Sequence, residues 1–489
     1  MSSSKNYKFY IDGKWVNSGS SETFSSVNPA TEKVIGRFQQ GNEDDVNKAI
    51  EAAERSFEKW NETPAPKRGI ILLKVAQLLR ENKEKLAREL TMEMGKVLVE
   101  ARGDVQEAID IAEYMAGEGR RLFGYTTPSE LKDKFCLTIR RPFGICGLIT
   151  PWNFPFAIPA WKIMPALICG NTIVFKPSSD TPLCATRIVE LFEKAGLPNG
   201  VLNLVTGPGG TVGVSLVKHE KVRCISFTGH KDTGASILKE AGLKKVGLEL
   251  GGKNGIIVMD DADLDLALDG VIWGGYGTTG QRCTAASRVI VHEKVKNKFE
   301  KMLVNRIKKL KLGNGLNPKT DVGPLINKKA QEKSKMYTEI GIDEGAKLLI
   351  GGKIPKMKGF FFKPTLFTNC SIDMRISQEE IFGPIVSLIP VKDFEEAIDV
   401  MNSVEYGLSS AIYTKDMNKS FKAIEKIEAG ITYINSSTIG AEVHLPFGGI
   451  KHTGIGTREG GWTGIEEFSE IKTVYFDYSG KLQKAQIDD

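Results

Sequence analysis

The sequence predicts an α/β fold with at least one parallel sheet, and three observations support this. Short apolar runs recur along the chain, a loop rich in glycine, proline or serine ends each run, and a helical stretch follows each loop. Such runs are typical of parallel strands that helices cover on both faces. With 489 residues, the chain is also long enough for two or three domains.

The part of the chain up to residue 140 is predicted to be mainly helical. A short hairpin around Asp12 and Gly13 comes first, and a helix follows whose apolar face includes Val46 and Ile50. Two further helices and one isolated, alternating strand are expected at 67–95, 98–122 and 134–140.

The repeated pattern of strand, loop and helix begins at residue 145. Its first strands are expected at 145–149, 172–175, 201–205 and 224–227. Ligands bind beyond the carboxyl ends of parallel strands, so the loops that follow these strands are candidate binding loops. A second set of units begins near residue 254, which places a domain boundary at 250–252. The predicted strand at 472–476 pairs either with the strand at 134–140 or with a neighbouring subunit.

The composition excludes several classes of protein. The formal net charge is only +6, and the lysines are interleaved with acids, which favours solvated helix faces over a nucleic-acid surface. No apolar run reaches the roughly 18 residues of a membrane span, so we expect no membrane partner. The seven cysteines form no CxxC pair and no metal-ligand spacing. This predicts no metal site and a reducing, cytoplasmic location.

One cysteine differs from the other six in its neighbours. Residues 274–280 are mostly glycine or small, and Cys283 follows them shortly before a predicted strand at 287–292. Glycines let a reactant approach the backbone closely, and a thiolate is a strong nucleophile. The alternative is that Cys283 is a buried small hydrophobe, which is the commonest state of a free cysteine.

Two polar residues in apolar surroundings are candidates for acid–base and electrostatic chemistry. Glu249 lies among apolar residues before two glycines, and burial would raise the pKa of its carboxyl and suit it to act as a general base. Asn153, between Trp152 and Phe154, could donate to a developing oxyanion. The alternatives are a structural ion pair at Glu249 and a turn-forming role for Asn153.

Three loops could together hold a nucleotide. The pattern Gly207-x-Gly209 keeps only part of the usual dinucleotide fingerprint, and a plain βα turn explains it equally well. Lys176 follows a predicted strand and could reach a phosphate or ribose, although a surface lysine is the alternative. Gly229 is expected at the N-terminus of a helix, where free amides bind phosphate.

Seven motifs, in their order and spacing, resemble those of the aldehyde dehydrogenase superfamily over about residues 9–478. They are PWNFP at 151–155, KPS at 176–178, FTG at 227–229, LELGGK at 248–253, GQRC at 280–283, EEIFGP at 379–384 and PFGG at 446–449. The resemblance implies a Rossmann-like cofactor domain, an α/β catalytic domain and a small β element for oligomerisation. The expected bounds are 1–121 and 142–249 for the cofactor domain, 250–450 for the catalytic domain, and 122–141 and 451–489 for the oligomerisation strands and tail.

The resemblance also implies roles for individual residues. Cys283 would be the nucleophile, Glu249 the general base, and Asn153 would form an oxyanion hole with the backbone amide of Cys283. The residues implied in binding NAD or NADP are Ile149, Thr150, Pro151, Trp152, Lys176, Ser178, Ser179, Gly209, Gly213, Phe227, Thr228, Gly229, His230, Leu250, Gly251, Glu380 and Phe382. The residues implied in binding substrate are Glu107, Arg282, Thr284 and Phe447.

These roles imply the NAD(P)+-dependent oxidation of an aldehyde to a carboxylic acid. The Cys283 thiolate would add to the aldehyde, hydride would pass to the nicotinamide, and water deprotonated by Glu249 would hydrolyse the resulting thioester. Relatives that transfer the acyl group to coenzyme A are expected to lack this acid, so its presence favours hydrolysis. A CoA-acylating dehydrogenase and a non-catalytic structural protein on the same fold are the alternatives.

Two positions depart from the family pattern. Many NAD-preferring members have glutamate where this chain has Ser179, three residues after Lys176. Such a glutamate would repel a 2′-phosphate, so serine predicts that NADP+ is used well and favours it over NAD+. His230 replaces the usual serine after the FTG motif, which leaves its contact with the cofactor pyrophosphate open.

The substrate is expected to be a semialdehyde or a small polar aldehyde such as glyceraldehyde. Arg282 could pair with a carboxylate at the far end of the aldehyde, or it could be a structural arginine that points away. Motifs around Glu107 and Arg282 resemble those of aminoadipic semialdehyde dehydrogenases (antiquitin). Those at 150–153 and 176–182 resemble microbial enzymes that act on glyceraldehyde, succinic semialdehyde or 2,5-dioxopentanoate. A homodimer or homotetramer is usual among relatives and is expected here.

Overall fold

A computed structural model describes residues 5–487, so the outer ends of the predicted domains, at 1–4 and 488–489, lie outside the described residues. An eight-stranded and a seven-stranded sheet form the centre of the fold, and helices cover both faces of each. The predicted α/β class is confirmed. Within residues 5–487, no helix is both long enough and apolar enough to cross a membrane.

Short strands and three long helices form the N-terminal part. They are β1 (Asn6–Tyr7), β2 (Phe9–Ile11), β3 (Lys14–Val16), β4 (Thr23–Val27), β5 (Val34–Gln39), α1 (Glu43–Glu62), α2 (Ala65–Met94) and α3 (Leu98–Glu118). The predicted hairpin is confirmed, and β2 and β3 extend one edge of the eight-stranded sheet. Helix α2 begins before the predicted residue 67, because Pro66 fits the first turn of a helix, where an N–H has no intrahelical acceptor.

The next part contains the parallel centre of the eight-stranded sheet. Its elements are β6 (Thr126–Pro128), β7 (Lys134–Pro142), β8 (Ile145–Ile149), α4 (Ala157–Cys169), β9 (Thr172–Lys176), α5 (Pro182–Ala195), β10 (Leu202–Leu204), α6 (Val214–Lys218), β11 (Val222–Thr228), α7 (Lys231–Ala241) and β12 (Lys245–Glu249). The parallel strands lie side by side in the order β12-β11-β8-β9-β10. The chain therefore runs outward from β8 in one direction and from β11 in the other. The strand order reverses between β8 and β11, which is where such sheets bind ligands.

The strands of this sheet are apolar on both faces because each face packs against helices. On β8, Ile145 and Ile149 join the core that contains the apolar face of α1, whereas Cys146 and Leu148 join the core that contains α4. Alternate side chains of a strand point to opposite faces. A continuous apolar run is therefore what a strand between two helical layers requires.

The seven-stranded sheet follows a short connection and has the same layered construction. Its part of the chain contains β13 (Asn254–Val258), α8 (Leu264–Tyr276), β14 (Ala286–His292), α9 (Glu293–Ile307), α10 (Lys328–Asp343), β15 (Lys347–Ile350), β16 (Thr365–Thr368), α11 (Arg375–Gln378), β17 (Ile385–Val391), α12 (Phe394–Asn402), β18 (Tyr406–Gly407), β19 (Ser409–Tyr413), α13 (Met417–Lys426) and β20 (Ile431–Ile434). The strand order is β15-β16-β17-β14-β13-β19-β20, and only β15 runs antiparallel to its neighbour.

The C-terminal part connects back to earlier elements. It contains β21 (Ile450–Lys451), β22 (Gly454–Ile455), α14 (Thr463–Glu467) and β23 (Ser469–Asp477). Strand β22 pairs with β12 at the edge of the eight-stranded sheet, and β23 pairs along its whole length with β7. The first of the two alternatives for the last strand, pairing with the isolated strand at 134–140, is therefore confirmed.

Candidate active site

A deep cleft opens at the point where the strand order reverses between β8 and β11. Its volume is about 710 Å³. The loops after β8, β11 and β12 form one wall, and α10 with the segment 380–382 forms the opposite wall. The lining residues that the sequence predicted are Pro151, Trp152, Asn153, Thr228, Gly229, His230, Leu250, Gly251, Cys283, Glu380 and Phe382.

A second, smaller cavity of about 90 Å³ continues from the cleft. Ile158, Thr228, Leu250 and Cys283 line both spaces, so Cys283 lies at their junction. The remaining lining residues are Glu107, Phe154, Ala157, Trp161, Glu249, Arg282, Thr284, Tyr433, Ile439, Gly440, Ala441, Phe447 and Glu459. The sulfur of Cys283 can therefore be reached from both the cleft and the smaller cavity, which have different linings.

A tight left-handed turn leads to Cys283. In the turn Gly277–Gly280, the φ angles are 51° at Thr278, 60° at Thr279 and 69° at Gly280. A left-handed conformation costs a non-glycine residue roughly 1–3 kcal/mol, and it persists only when neighbours enforce it. Glycine is required at 280 because a Cβ there would lie 2.3 Å from the carbonyl oxygen of Gly383.

Buried polar side chains hold this turn in place. The carboxylate of Glu100 accepts hydrogen bonds from the Thr278 amide at 2.9 and 3.0 Å and from the Thr278 hydroxyl at 3.1 Å. Gln281 is fully buried, and its Oε1 accepts from the Ile326 amide at 2.9 Å. The turn is thereby tied to α3 on one side and to the segment before α10 on the other.

The backbone after the turn is fixed from the start of β13. Asn254 donates through Nδ2 to the carbonyl oxygens of Cys283, at 2.7 Å, and Ala285, at 3.0 Å. Gly252 lies so close that a Cβ there would be 2.5 Å from the Cys283 carbonyl oxygen. The backbone of Cys283 therefore has little freedom to move.

The surroundings of Cys283 favour the protonated form of its thiol. The residue is half-buried, whereas the other six cysteines are buried. The protein packed around it raises the pKa of the thiol to about 12, and the nearby carboxylates of Glu249 and Glu380 act in the same direction. A base has to remove this proton before the sulfur becomes a good nucleophile.

Glu249 ends β12 and lines the smaller cavity. Burial raises the pKa of its carboxyl well above the usual range, and the neighbouring carboxylate of Glu459 raises it further. Within residues 5–487, its Oε2 has no hydrogen-bond partner. Lys162 forms an ion pair with Glu459 and donates to Ser226 at 2.8 Å. Among the described residues, Glu249 therefore forms no ion pair, and the buried lysine bonds to Glu459.

Asn153 lies beside the loop that carries the cysteine. It is buried, and its Nδ2 donates to the carbonyl oxygen of Gln281 at 3.1 Å. Asn153 lines the cleft and bonds to a loop distant in the sequence, so its side chain is not limited to closing a local turn. Asn153 and Cys283 are thus brought to the same end of the cleft.

Two of the predicted cofactor residues are held rigidly on the far wall. Glu380 is buried enough for its pKa to be raised, and its Oε1 accepts from the Gly252 amide at 3.0 Å. The backbone of Phe382 has a left-handed conformation, with φ at 59°. Its ring packs edge-on against that of Trp152, with 5.5 Å between the ring centroids. These contacts link the far wall to the wall formed by the eight-stranded sheet.

Other predicted cofactor residues lie along the same edge of that sheet but outside the lining of the cleft. Lys176 ends β9, and burial lowers its pKa to about 8 although Asp180 opposes the shift. Ser179 donates to the carbonyl oxygen of Gly207 at 3.1 Å, and Asp180 accepts from Asn327, which lines the cleft, at 3.3 Å. The residues in this group are Ile149, Thr150, Lys176, Ser178, Ser179, Gly209, Gly213 and Phe227.

The helix after β11 begins later than the sequence predicted. Helix α7 starts at Lys231, and His230 caps it by accepting through Nδ1 from the Asp232 amide at 3.3 Å. Gly229 therefore precedes the helix instead of opening it. The physical reason is that a side-chain acceptor at His230 satisfies an amide of the first turn.

The predicted substrate residues meet in the smaller cavity. The guanidinium of Arg282 lies 5.0 Å from the ring of Phe154 and 4.9 Å from that of Trp273, and the residue lines this cavity. Burial raises the pKa of Glu107 to about 7, Asp104 raises it as well, and Arg282 opposes the shift. Thr284 and Phe447 line the same cavity.

Sequence reasoning missed the wall that α10 contributes. Lys333 donates to the carbonyl oxygen of Glu380 at 2.9 Å. This wall depends on packing between segments almost fifty residues apart, and no local pattern separates its residues from an ordinary helix surface. Its residues are Ile326, Asn327, Lys329, Ala330, Glu332, Lys333, Met336 and Tyr337. The buried pair of Lys162 and Glu459 was missed for the same reason.

The model of the aldehyde dehydrogenase family matches residues 15–474. The chain belongs to this family. It is 42% identical over 477 residues to alpha-ketoglutaric semialdehyde dehydrogenase of Bacillus subtilis (strain 168), covering 96% of this chain and 98% of that protein. It is 40% identical over 482 residues to the D-glyceraldehyde dehydrogenase (NADP(+)) of Thermoplasma acidophilum, covering 97% of both.

Solved structures agree with the family assignment. The crystal structure of betaine aldehyde dehydrogenase from Staphylococcus aureus in complex with NAD+ superposes with a TM-score of 0.95 at 39% identity, covering 97% of this chain and 95% of that one. The predicted resemblance is therefore confirmed. This aldehyde dehydrogenase is an NAD(P)+-dependent oxidoreductase that oxidises an aldehyde.

Proposed function

We propose that this aldehyde dehydrogenase oxidises semialdehydes and small polar aldehydes, with a preference for aldehydes that carry a distal carboxylate. The observation that supports this most directly is the place of Cys283 at the junction of the large cleft and a cavity lined by Arg282 and Glu107. The cofactor occupies the cleft, the aldehyde occupies the cavity, and both reach the same sulfur.

The residues of the cleft fit a nicotinamide dinucleotide. The carboxylate of Glu380 is anchored by the Gly252 amide and suits ribose hydroxyls. His230 at the N-terminus of α7, and Lys329 and Lys333 on the opposite wall, suit the phosphates. When bound, the nicotinamide accepts the hydride that leaves the adduct. Phe382 and Trp152 would hold the ring in line with the sulfur.

Cys283 is the nucleophile of the proposed reaction, and Glu249 is its base. Because the pKa of the thiol is raised to about 12, addition to an aldehyde needs a base within the site. As the sulfur adds, negative charge develops on the aldehyde oxygen. The Nδ2 of Asn153 and the backbone amide of Cys283 would donate to it.

Hydrolysis of the thioester depends on the same carboxylate. Glu249 has an oxygen without a partner among the described residues and a raised pKa, both of which suit a group that takes a proton from water. This favours release of a free acid over transfer to coenzyme A. Acyl-CoA formation, or the absence of aldehyde-dependent reduced cofactor, would support the CoA-acylating or the structural alternative.

We expect Glu249→Gln to lower kcat by about 100-fold or more, since general-base catalysis contributes roughly 10²–10⁴-fold. Because the same carboxylate is proposed to take the thiol proton, reduced cofactor should form slowly from the first turnover, with no burst before the steady state. Stopped-flow absorbance measures both phases, the first turnover and the steady state. Glu58→Gln, which changes an exposed glutamate on α1, is the matched control and should alter neither phase.

The pH profile provides a second measurement on the same variant. The reactive form of the free enzyme has Glu249 deprotonated, so that it can take the thiol proton, and the pKa of this carboxyl is raised well above its usual range. For the wild type, kcat/KM should therefore rise with pH as Glu249 deprotonates, at a pH well above the usual range for a glutamate. A kcat of Glu249→Gln within a few fold of the wild type would rule out the proposed base.

Arg282 and Glu107 are the proposed determinants of substrate choice. The guanidinium of Arg282 is held between two rings and lines the cavity, which suits a carboxylate at the far end of a short aldehyde. The alpha-ketoglutaric semialdehyde dehydrogenase of Bacillus subtilis is a relative named for such a substrate. A half-buried Glu107 beside this arginine would accept from a hydroxyl or an ammonium group on the same aldehyde.

We expect kcat/KM to be higher for succinic semialdehyde than for propanal. Arg282→Met should lower kcat/KM for succinic semialdehyde by roughly 10- to 100-fold, the range for loss of one charge-assisted hydrogen bond, and change propanal much less. Steady-state assays on an aldehyde panel measure this, with the exposed Arg306→Met as control. Equal kcat/KM for the two aldehydes in the wild type would argue against the proposed preference.

NADP+ is the cofactor that we propose is favoured. Ser179 places no charge near the adenosine ribose, and Lys176 lies at the end of the neighbouring strand. Asp180 beside it is half-buried and accepts from Asn327, and the protein around it raises the pKa of its carboxyl, which weakens its repulsion of a 2′-phosphate. The D-glyceraldehyde dehydrogenase of Thermoplasma acidophilum is a relative named for NADP(+).

Ser179→Glu should reverse this preference, because a carboxylate there would repel the 2′-phosphate and accept from the ribose hydroxyls of NAD+. We expect kcat/KM for NADP+ to fall roughly 10- to 100-fold, the effect of one desolvated like-charge contact, while that for NAD+ changes little. Parallel steady-state assays with both cofactors measure it, and Ser179→Ala controls for loss of the hydroxyl. A wild type with kcat/KM at least about tenfold higher for NAD+ would refute the proposal.

The small sheet of β6, β7 and β23 is the proposed oligomerisation element. Its strands expose Phe135, Ile471, Tyr475 and Phe476, and exposed apolar patches on soluble proteins mark interaction sites. We propose a homodimer or homotetramer that buries these residues. A cytoplasmic location also stays a proposal, and subcellular fractionation tests it.

Charges on the exposed face of β23 should break this assembly. We expect the double variant Ile471→Asp with Tyr475→Asp to sediment as a smaller species than the wild type, because two carboxylates cannot be buried without partners. Analytical ultracentrifugation measures the mass. Val34→Asp, at an exposed position of β5, should leave it unchanged. A monomeric wild type would contradict the proposal.

A further inference from the structure

Helix α3 presents three acidic residues to the active site. Glu100, Asp104 and Glu107 follow one another at intervals of four and three residues, so they lie on one face of the helix. Glu107 lines the substrate cavity. Glu100 and Asp104 are buried; they form hydrogen bonds to loops and do not line this cavity. The helix therefore has a structural connection to both loops that form the reaction centre.

Asp104 holds the end of the loop that carries Asn153. Its Oδ1 accepts from the amides of Phe156, at 3.2 Å, and Ala157, at 2.7 Å, where α4 begins. Its Oδ2 accepts from the buried Lys96 at 2.9 Å. A carboxylate on free amides at a helix N-terminus is a favourable contact. This fixes where α4 starts relative to α3.

Glu100 binds the other loop, which carries the nucleophile. Both carboxylate oxygens accept from the Thr278 amide, and Oε2 also accepts from the Thr278 hydroxyl. That hydroxyl oxygen in turn accepts from the Nε of Arg282 at 2.9 Å. The Nη2 atom of Arg282 lies 4.0 Å from Oε1 of Glu100. A continuous set of polar contacts thus runs from α3 through Thr278 to the residue next to Cys283.

We propose that Glu100 is a positioning residue, whose carboxylate holds the left-handed turn before Cys283 and orients Arg282 toward the distal carboxylate of the substrate. The part that concerns Arg282 rests on the substrate preference proposed above. The carboxylate touches neither the substrate nor the sulfur. It acts through Thr278, whose left-handed backbone it holds at the amide and whose hydroxyl it also binds.

Glu100→Gln tests this, because glutamine keeps the size but replaces one acceptor oxygen with a donor. Whichever way the glutamine amide turns, its NH2 group faces either the Thr278 amide, which is also a donor, or the Thr278 hydroxyl, so at least one contact that holds the turn and Arg282 is lost. We expect kcat/KM for succinic semialdehyde to fall roughly 10- to 100-fold, as for the loss of a charge-assisted hydrogen bond, and that for propanal to fall several-fold less. Steady-state kinetics with both aldehydes measure the difference.

A second measurement needs neither substrate nor cofactor. The rate at which iodoacetamide alkylates Cys283, followed by mass spectrometry of the intact enzyme, should increase at least about threefold in Glu100→Gln, because a looser turn lets water and reagent reach the thiol. Alkylation of the six buried cysteines should stay slow. This readout separates the proposal from the substrate preference. If the wild type does not distinguish the two aldehydes, the substrate preference fails and the alkylation rate alone decides the role of Glu100.

Two further variants complete the experiment. Thr278→Val keeps the branched shape but removes the hydroxyl, so it should reproduce the loss that is specific to succinic semialdehyde. Glu113→Gln makes the same chemical change on an exposed face of α3, where the carboxylate bonds only to an exposed arginine, and should leave kinetics and alkylation unchanged. Thermal unfolding of each variant shows that it is folded. Equal losses on both aldehydes with an unchanged alkylation rate, or no loss at all, would overturn the proposal.

Discussion

The site depends on one short connection between the two large sheets. Strand β12 ends at Glu249 and β13 begins at Asn254, so the proposed base and the side chain that fixes the Cys283 carbonyl are only a few residues apart. Between them, the amide of Gly252 holds Glu380 on the opposite wall. There is no room for a side chain at 252, because the Cys283 carbonyl oxygen lies against it. The segment 249–254 therefore fixes the proposed base, the proposed nucleophile and the far wall of the cleft relative to one another.

Burial raises the pKa of the proposed base, which suits it to catalysis, but it also makes the charged carboxylate energetically unfavourable. The carboxyl groups of Glu249 and Glu459 lie close together in a buried region, and the charge of Glu459 adds to the effect of burial in raising the pKa of Glu249. Lys162 forms an ion pair with Glu459. Within residues 5–487, Glu249 forms no ion pair, and it lines the same cavity as the thiol. Its raised pKa suits a base that works near neutral pH.

The sequence predicted those features that depend on short-range patterns. Apolar runs located β8, β9, β10 and β11, and the family motifs located Cys283 and Glu249 at the ends of their segments. It could not choose the partner of β23, because an exposed strand pairs equally well within a chain or between chains. Nor could it locate the wall formed by α10, which exists only after distant segments pack together. The start of α7 shifted for a local reason, since the side chain of His230 accepts from the Asp232 amide and glycine has no side-chain acceptor.

The two spaces that meet at Cys283 share Ile158, Thr228 and Leu250 with it, and other parts of the chain complete each lining. The cleft adds further loops at the carboxyl ends of the parallel strands and α10, whereas the smaller cavity adds residues of α3, α4 and the segment 433–447. In the proposed assignment, changes on α3 or in that segment would alter which aldehyde fits without moving the walls proposed to hold the dinucleotide. The exception is the set of contacts from Glu100 to Thr278, which joins α3 to the loop that carries Cys283. The proposed substrate recognition and the position of the sulfur would be coupled there, so that part of α3 would be the least free to vary.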